Sequence, residues 1–248
     1  MGTATVADSF ALSDQQIRAL APKRVFFGHK SVGANILEGV RDLMTADSGL
    51  KLKIVMSADP SAVDGPALIE AEIGENGIPQ SKNAAFAAAL INGMGPQGGI
   101  AMYKYCYVDI TDSTDVPRLF DQYRKGIAAL EAAHPDIKFV HITVPLTTVE
   151  PAIKAWVKTI LGRRTARAEN MKRNEFNRML KHTYAANRIF DLAEQESTRS
   201  DGSRAYFSSG SERIYTLADE YTTDGGHLNE LGRRAAAKRL LAFLAATS

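Results

Sequence analysis

The sequence predicts an α/β protein: a three-layer α/β/α sandwich built on a central parallel sheet of five strands in flavodoxin-like order. Two observations carry this. Short apolar runs, rich in β-branched and aromatic residues, recur along the 248 residues. Each is followed by a longer stretch whose apolar residues repeat at helical spacing. Strands that alternate with helices in this way pair in parallel, with helices on both faces of the sheet.

The first strand is expected at residues 24–28 (RVFFG), an apolar run ended by glycine. Ile36, Leu37, Val40, Leu43 and Met44 form the stripe of the helix after it. Residues 52–56 (LKIVM) read as the second strand, followed by a long loop rich in Asp, Gly and Pro and a helix from Ser81 to about Ile91. Residues 100–110 (IAMYKYCYVDI) read as the third strand, and a stripe through Leu119, Tyr123, Ile127 and Leu130 marks a helix over 116–133. The fourth strand is expected at 138–144 (KFVHITV), stopped by Pro145. Helical stretches at 152–161 and 165–186 precede a fifth strand at 188–192 (RIFDL). A Ser/Gly-rich loop at 197–210 leads to a last amphipathic helix at about 229–246. No repeat, low-complexity tract or linker divides the chain, so one domain over residues 1–248 is expected, with 147–173 as a candidate cap over the cleft. Trp156, within that cap, reads as core or as a substrate contact.

Composition narrows the function. The hydrophobic share of 45% and charged share of 23% are those of an ordinary globular chain. A net charge of +2 gives no reason to expect nucleic acid as a partner. The basic residues of 163–173 are interrupted by Glu169 at helical spacing and read as a solvated helix face. No stretch reaches the roughly 20 apolar residues of a membrane span. The single cysteine, Cys106, excludes an internal disulfide and leaves no cysteine cluster for zinc, so no metal is expected, and nothing else in the chain calls for a cofactor. The start, Met1-Gly-Thr-Ala, is neither basic nor apolar enough for a signal peptide; a secreted or periplasmic chain whose leader has been removed is also consistent with it.

Chemistry concentrates at two places. In Phe27-Gly28-His29-Lys30-Ser31-Val32-Gly33, Ser31 falls between the first strand and its helix. Ligands of such sheets bind beyond the carboxyl ends of the strands. Unpaired N–H groups and the helix dipole there suit an oxyanion. Ser31 alone also fits a plain helix cap. Near the other end, Asp224-Gly225-Gly226-His227 presents an aspartate and a histidine from one turn before the last helix. The histidine can act as general base, with the aspartate orienting it.

With the strand–Gly–x–x–Ser turn and the late D-x-x-H-L-N-x-x-G stretch (Asp224 to Gly232), the sequence resembles the SGNH/GDSL hydrolases. The resemblance implies a flavodoxin-like sandwich, no metal cofactor, and ester hydrolysis by a Ser–Asp–His triad, here Ser31 as nucleophile, His227 as base and Asp224 as its partner. It departs from the family pattern in two blocks. The Gly-Asp-Ser block is stretched by one residue, with His29 and Lys30 between Gly28 and Ser31. Where Gly-x-Asn-Asp is expected, Tyr107-Val108-Asp109 stands without an asparagine. The oxyanion-hole glycine is best matched by Gly74, and Asn76 of the same loop is a candidate donor. His29 reads as a pocket-lining, substrate-binding residue or as a surface turn. His141 reads as a core residue, and Lys104 and Asp109 take no assigned role. The expected activity is that of a serine esterase on an acyl ester of a small molecule or carbohydrate, with acetyl as the candidate acyl group. The alternatives are an acyltransferase with the same triad and a non-catalytic carbohydrate-binding module on the same fold.

Overall fold

The computed structural model describes residues 10–150 and 165–247. The expected helix at 152–161, Trp156 and the middle of the 147–173 segment lie outside the described residues. The central sheet has six parallel strands: β1 (Arg24–His29), β2 (Ile54–Met56), β3 (Ala67–Glu72), β4 (Gly99–Tyr103), β5 (Ile137–Ile142) and β6 (Ile189–Phe190). They run in the order β2-β3-β1-β4-β5-β6. Setting aside the edge strand β2, the other five follow the flavodoxin-like order. The second place in that order belongs to β3, a strand inside the stretch expected to be loop. A separate antiparallel hairpin, β7 (Tyr206–Ser209) and β8 (Glu212–Tyr215), follows the sheet.

Side chains alternate along β1, so it feeds two cores. Val25 and Phe27 enter one, which also contains Val32, Ile36, Leu37 and Val40 of α2 (Val32–Ala46) and Ala236, Leu240 and Leu244 of α7 (Glu230–Ala246). Phe26 enters the other, with residues of α3 (Pro79–Ala89), α4 (Val116–Ala133) and α5 (Ala166–Thr183). Two shorter helices, α1 (Asp14–Leu20) and α6 (Leu192–Ser197), complete the layers. Burying so much apolar surface is the main force holding these layers together.

The sheet places the site through the pairing of α2 with α7. Both lie on the same face, and Arg233 of α7 bonds Asp42 of α2 at 2.7 Å and Glu38 at 2.9 Å. The N-terminus of α2 follows β1, and the N-terminus of α7 follows the Asp224–His227 turn. Two segments nearly 200 residues apart in sequence therefore meet at the carboxyl edge of the sheet.

Candidate active site

Ser31 occupies the turn from β1 into α2. It is the N-cap of α2, yet its hydroxyl makes no capping bond. Its backbone has φ 55° and ψ −112°, and among the described residues it is the one non-glycine with positive φ. Such a conformation costs of order 1–3 kcal/mol and persists only where the surroundings impose it. Here the imposing contacts are the parallel bonds of β1 on one side and the first helical turn on the other, where Ala34 N–H donates to Ser31 O at 2.8 Å. The turn lifts the hydroxyl out of the sheet and toward the last loop.

The two ends of the chain join in a hydrogen-bonded relay. Ser31 Oγ lies 2.7 Å from His227 Nε2. His227 Nδ1 lies 2.6 Å from Asp224 Oδ2. The other oxygen, Asp224 Oδ1, accepts from Gly226 N–H at 2.9 Å and His227 N–H at 2.8 Å. The Gly226 amide foremost, and then the His227 ring, hold the Asp224 carboxyl well below the usual carboxylate range. The carboxylate accepting at Nδ1 leaves Nε2 as the acceptor for the Ser31 proton. The turn is anchored at both flanks: Leu228 N–H donates to Asn35 Oδ1 of α2 at 3.2 Å, and Thr148 N–H donates to Gly225 O at 2.9 Å.

Gly74 sits just beyond β3, on the side of β1 opposite β4, so the candidate oxyanion loop flanks the serine. Its φ is +60°, and a Cβ there would come within 2.6 Å of the Lys82 backbone nitrogen, so glycine is required. The loop is tied down by a buried ion pair. Lys82 Nζ lies 2.7 Å from Asp109 Oδ2, with both side chains wholly buried. The same carboxylate accepts from Gly77 N–H at 2.8 Å and Cys106 N–H at 2.6 Å. Asn76 turns its Oδ1 toward Lys82 Nζ at 3.4 Å.

His29 is placed differently from the sequence expectation. It is not a turn residue but the end of β1, 2% exposed, with Nε2 3.1 Å from Glu70 Oε2. Burial, partly offset by Glu70, pushes its imidazole below the ordinary histidine value. Glu70 also binds Arg41, so this network braces the strand below Ser31. His141 is buried in the core, bonded to Tyr123 Oη at 2.8 Å, and burial pushes it down to about 3. The third strand ends at Tyr103, so Lys104 and Asp109 lie beyond it, both buried.

Sequence reasoning gave no role to Tyr107. Its ring stands edge-on to the His227 imidazole, with centroids 5.8 Å apart and planes at 73°. The signal was there, since Tyr107 stands where the resemblance leads one to look for an asparagine. Beside it, a groove runs past Asp224 and is lined by Thr147, Thr148, Glu150, Glu169 and Arg173. Val108 and Thr111 connect it to a second groove bounded by Gly77, Gln80, Ser113, Asp115 and Arg118. Among the described residues no group of His, Cys, Asp and Glu side chains is placed to hold a metal ion, and no helix is long and apolar enough to cross a membrane.

Among solved structures, a putative platelet activating factor from Streptococcus pneumonia superposes with a TM-score of 0.53 at 15% identity, over 93% of this chain and 91% of that one. The two chains share a fold over nearly their whole lengths. A G-D-S-L family lipolytic protein from Veillonella parvula is also matched, at TM-score 0.46 and 14% identity over 88% of this chain and 94% of that one. So is the periplasmic domain of a lipopolysaccharide acetyltransferase from Salmonella ser. Paratyphi A, at TM-score 0.44 and 12% identity over 89% of this chain and 83% of that one. At such identities the likeness is one of fold. No family model and no curated protein matches the chain.

Proposed function

We propose that this protein is a serine esterase that hydrolyses an acyl ester, with Ser31, His227 and Asp224 as its triad. The observation that carries the reading is the relay from Ser31 Oγ through His227 to Asp224 Oδ2, 2.7 Å and 2.6 Å long, built on a strained serine at a helix N-terminus. Strain at a residue that makes no cap is a cost that packing alone does not explain.

In this mechanism Ser31 Oγ attacks the acyl carbon while its proton passes to His227 Nε2. The carbonyl oxygen becomes an oxyanion. It faces the positive end of the α2 dipole and the Gly74 loop. His227 then returns its proton to the alcohol oxygen as that bond breaks, leaving an acyl-serine. Water, deprotonated by His227, releases the acid and restores the serine. Asp224 stays ionised throughout and stabilises the imidazolium.

The His227 side chain is 45% exposed, so water can reach the base and resolve the acyl-serine. A carbohydrate ester with a small acyl group, such as acetyl, fits the mostly polar groove walls of Thr147, Thr148, Gln80, Ser113 and Arg118. The test is a panel of acetyl to octanoyl esters, on simple alcohols and on sugars, offered to the wild type and Ser31→Ala with products analysed. Turnover of short-chain sugar esters by the wild type alone supports the reading. No turnover of any ester, or equal turnover by both proteins, overturns it.

A further inference from the structure

Tyr107 is the side chain at the reacting centre that the triad leaves unexplained. It comes from the segment after β4, and β4 pairs with β1 up to Gly28↔Tyr103. The segment therefore emerges beside Ser31, on the side opposite the Gly74 loop. The Tyr107 hydroxyl reaches over the base: a Cβ on Gly226 would lie 2.9 Å from Tyr107 Oη, so only glycine lets the two approach. Its ring lies edge-on to the His227 imidazole that bonds Ser31 Oγ, which sets the hydroxyl at the reacting centre.

The ring is also held firmly. Arg173, 1% exposed, donates from Nε to Tyr107 O at 3.0 Å and lies over the ring at 5.7 Å from its centroid. Arg173 is itself fixed by Thr147 at 2.8 Å, Asn170 at 3.0 Å and Glu169 at 2.8 Å. A donor held this way spends little reorganisation when charge develops.

We infer that Tyr107 is a catalytic residue whose hydroxyl donates a hydrogen bond to the carbonyl oxygen as that oxygen becomes negative. The inference rests on Ser31 being the nucleophile. As Ser31 Oγ bonds to the acyl carbon, the carbonyl oxygen beside it gains negative charge and becomes the acceptor for this hydroxyl. No covalent bond to Tyr107 forms or breaks. Burial, with the Asp224 carboxylate adding to it, pushes the hydroxyl above its ordinary value, which keeps its proton in place for donation.

The experiment compares wild type and Tyr107→Phe on one soluble acetyl ester, with phosphonate labelling of Ser31 timed in parallel. Loss of one oxyanion donor lowers kcat by about 10²–10³-fold. KM should change less than about threefold, since the donor acts mainly on the transition state. Labelling, which builds a charged tetrahedral oxygen at the same place, should slow along with kcat. The phenylalanine retains the ring packing, and its melting curve checks the fold. If that curve shifts, 3,5-difluorotyrosine at position 107 replaces it, and kcat should then acquire a basic limb absent from the wild type. Tyr107→Phe with kcat within threefold of wild type, or a fluorinated protein with no new limb, overturns the inference. A wild type whose Ser31 takes no label would instead overturn the nucleophile assignment beneath it.

Discussion

Replacing Asp109 by asparagine probes what holds the Gly74 loop. The Asp109 carboxylate is wholly buried and receives four hydrogen bonds: two from Lys82 Nζ at 2.7 and 2.8 Å, one from Gly77 N–H at 2.8 Å and one from Cys106 N–H at 2.6 Å. An asparagine has one acceptor oxygen, which satisfies one side of this arrangement. Its amide nitrogen then faces donors on the other, and Lys82 remains buried without a counter-charge. Breaking a buried pair from one side costs about 3–5 kcal/mol. For a domain of this size, each kcal/mol moves Tm by about 2–4 °C, so the expected fall is about 6–20 °C. Below its transition, Asp109→Asn should also lose kcat on an acetyl ester, because the tie between the β4 segment and the Gly74 loop is loosened on both sides of Ser31. The assay is a thermal melt with steady-state kinetics well below the lower Tm. A melt within 2 °C of wild type together with unchanged kcat would refute the reasoning that this pair braces the site.

Three further outcomes follow from ionisable side chains. Glu196 is fully buried, accepts from Leu146 N–H at 2.7 Å through Oε2, and has no partner for Oε1 among the described residues. Burial pushes its carboxyl up to about 8 from an ordinary 4.5, so the neutral form favours the fold below about pH 4.5 and that advantage is lost as pH rises to about 8. Glu196→Gln, which resembles the neutral acid, should therefore melt higher than wild type at pH 9 and lose that advantage at pH 5; parallel melts at the two pH values check it. Asp224→Asn should lower kcat/KM by roughly 10³–10⁴-fold through loss of imidazole orientation. Since the Asp224 carboxyl is held below the usual range, its own protonation should add no limb to the wild-type pH–rate profile from 5 to 9.

The parts of the fold that were legible in the sequence are those where one signal dominates. The 24–28 run is buried on every residue, and the α2 stripe faces one core without interruption. The Asp224–His227 turn was legible because its spacing brings two functional groups onto one loop. Strand β3 was hidden because Ala67–Glu72 contains two glutamates, and Glu70 is buried only through its bonds to His29 and Arg41. That pairing is non-local and leaves no periodic trace. The third strand looked too long for a related reason. Residues 105–108 are apolar and aromatic, yet Asp109 bends them into a 3₁₀ turn by accepting the Cys106 N–H and meeting Lys82 from a distant helix. His29 was read as a pocket-lining residue or a surface turn, since its partner, Glu70, lies 41 residues away on a strand not expected. Tyr107 stood at the right place in the chain, but its approach to His227 depends on how Gly226 folds over it.

The most direct test of the central claim is covalent labelling by a fluorophosphonate, read by intact mass and peptide mapping. The relay geometry predicts one adduct per chain on wild type, mapped to Ser31, and none on Ser31→Ala. It also predicts labelling of His227→Ala slowed by orders of magnitude while its melting curve stays in place, because the base that takes the Ser31 proton is gone. An adduct on another residue, or equal labelling of wild type and Ser31→Ala, would contradict the account.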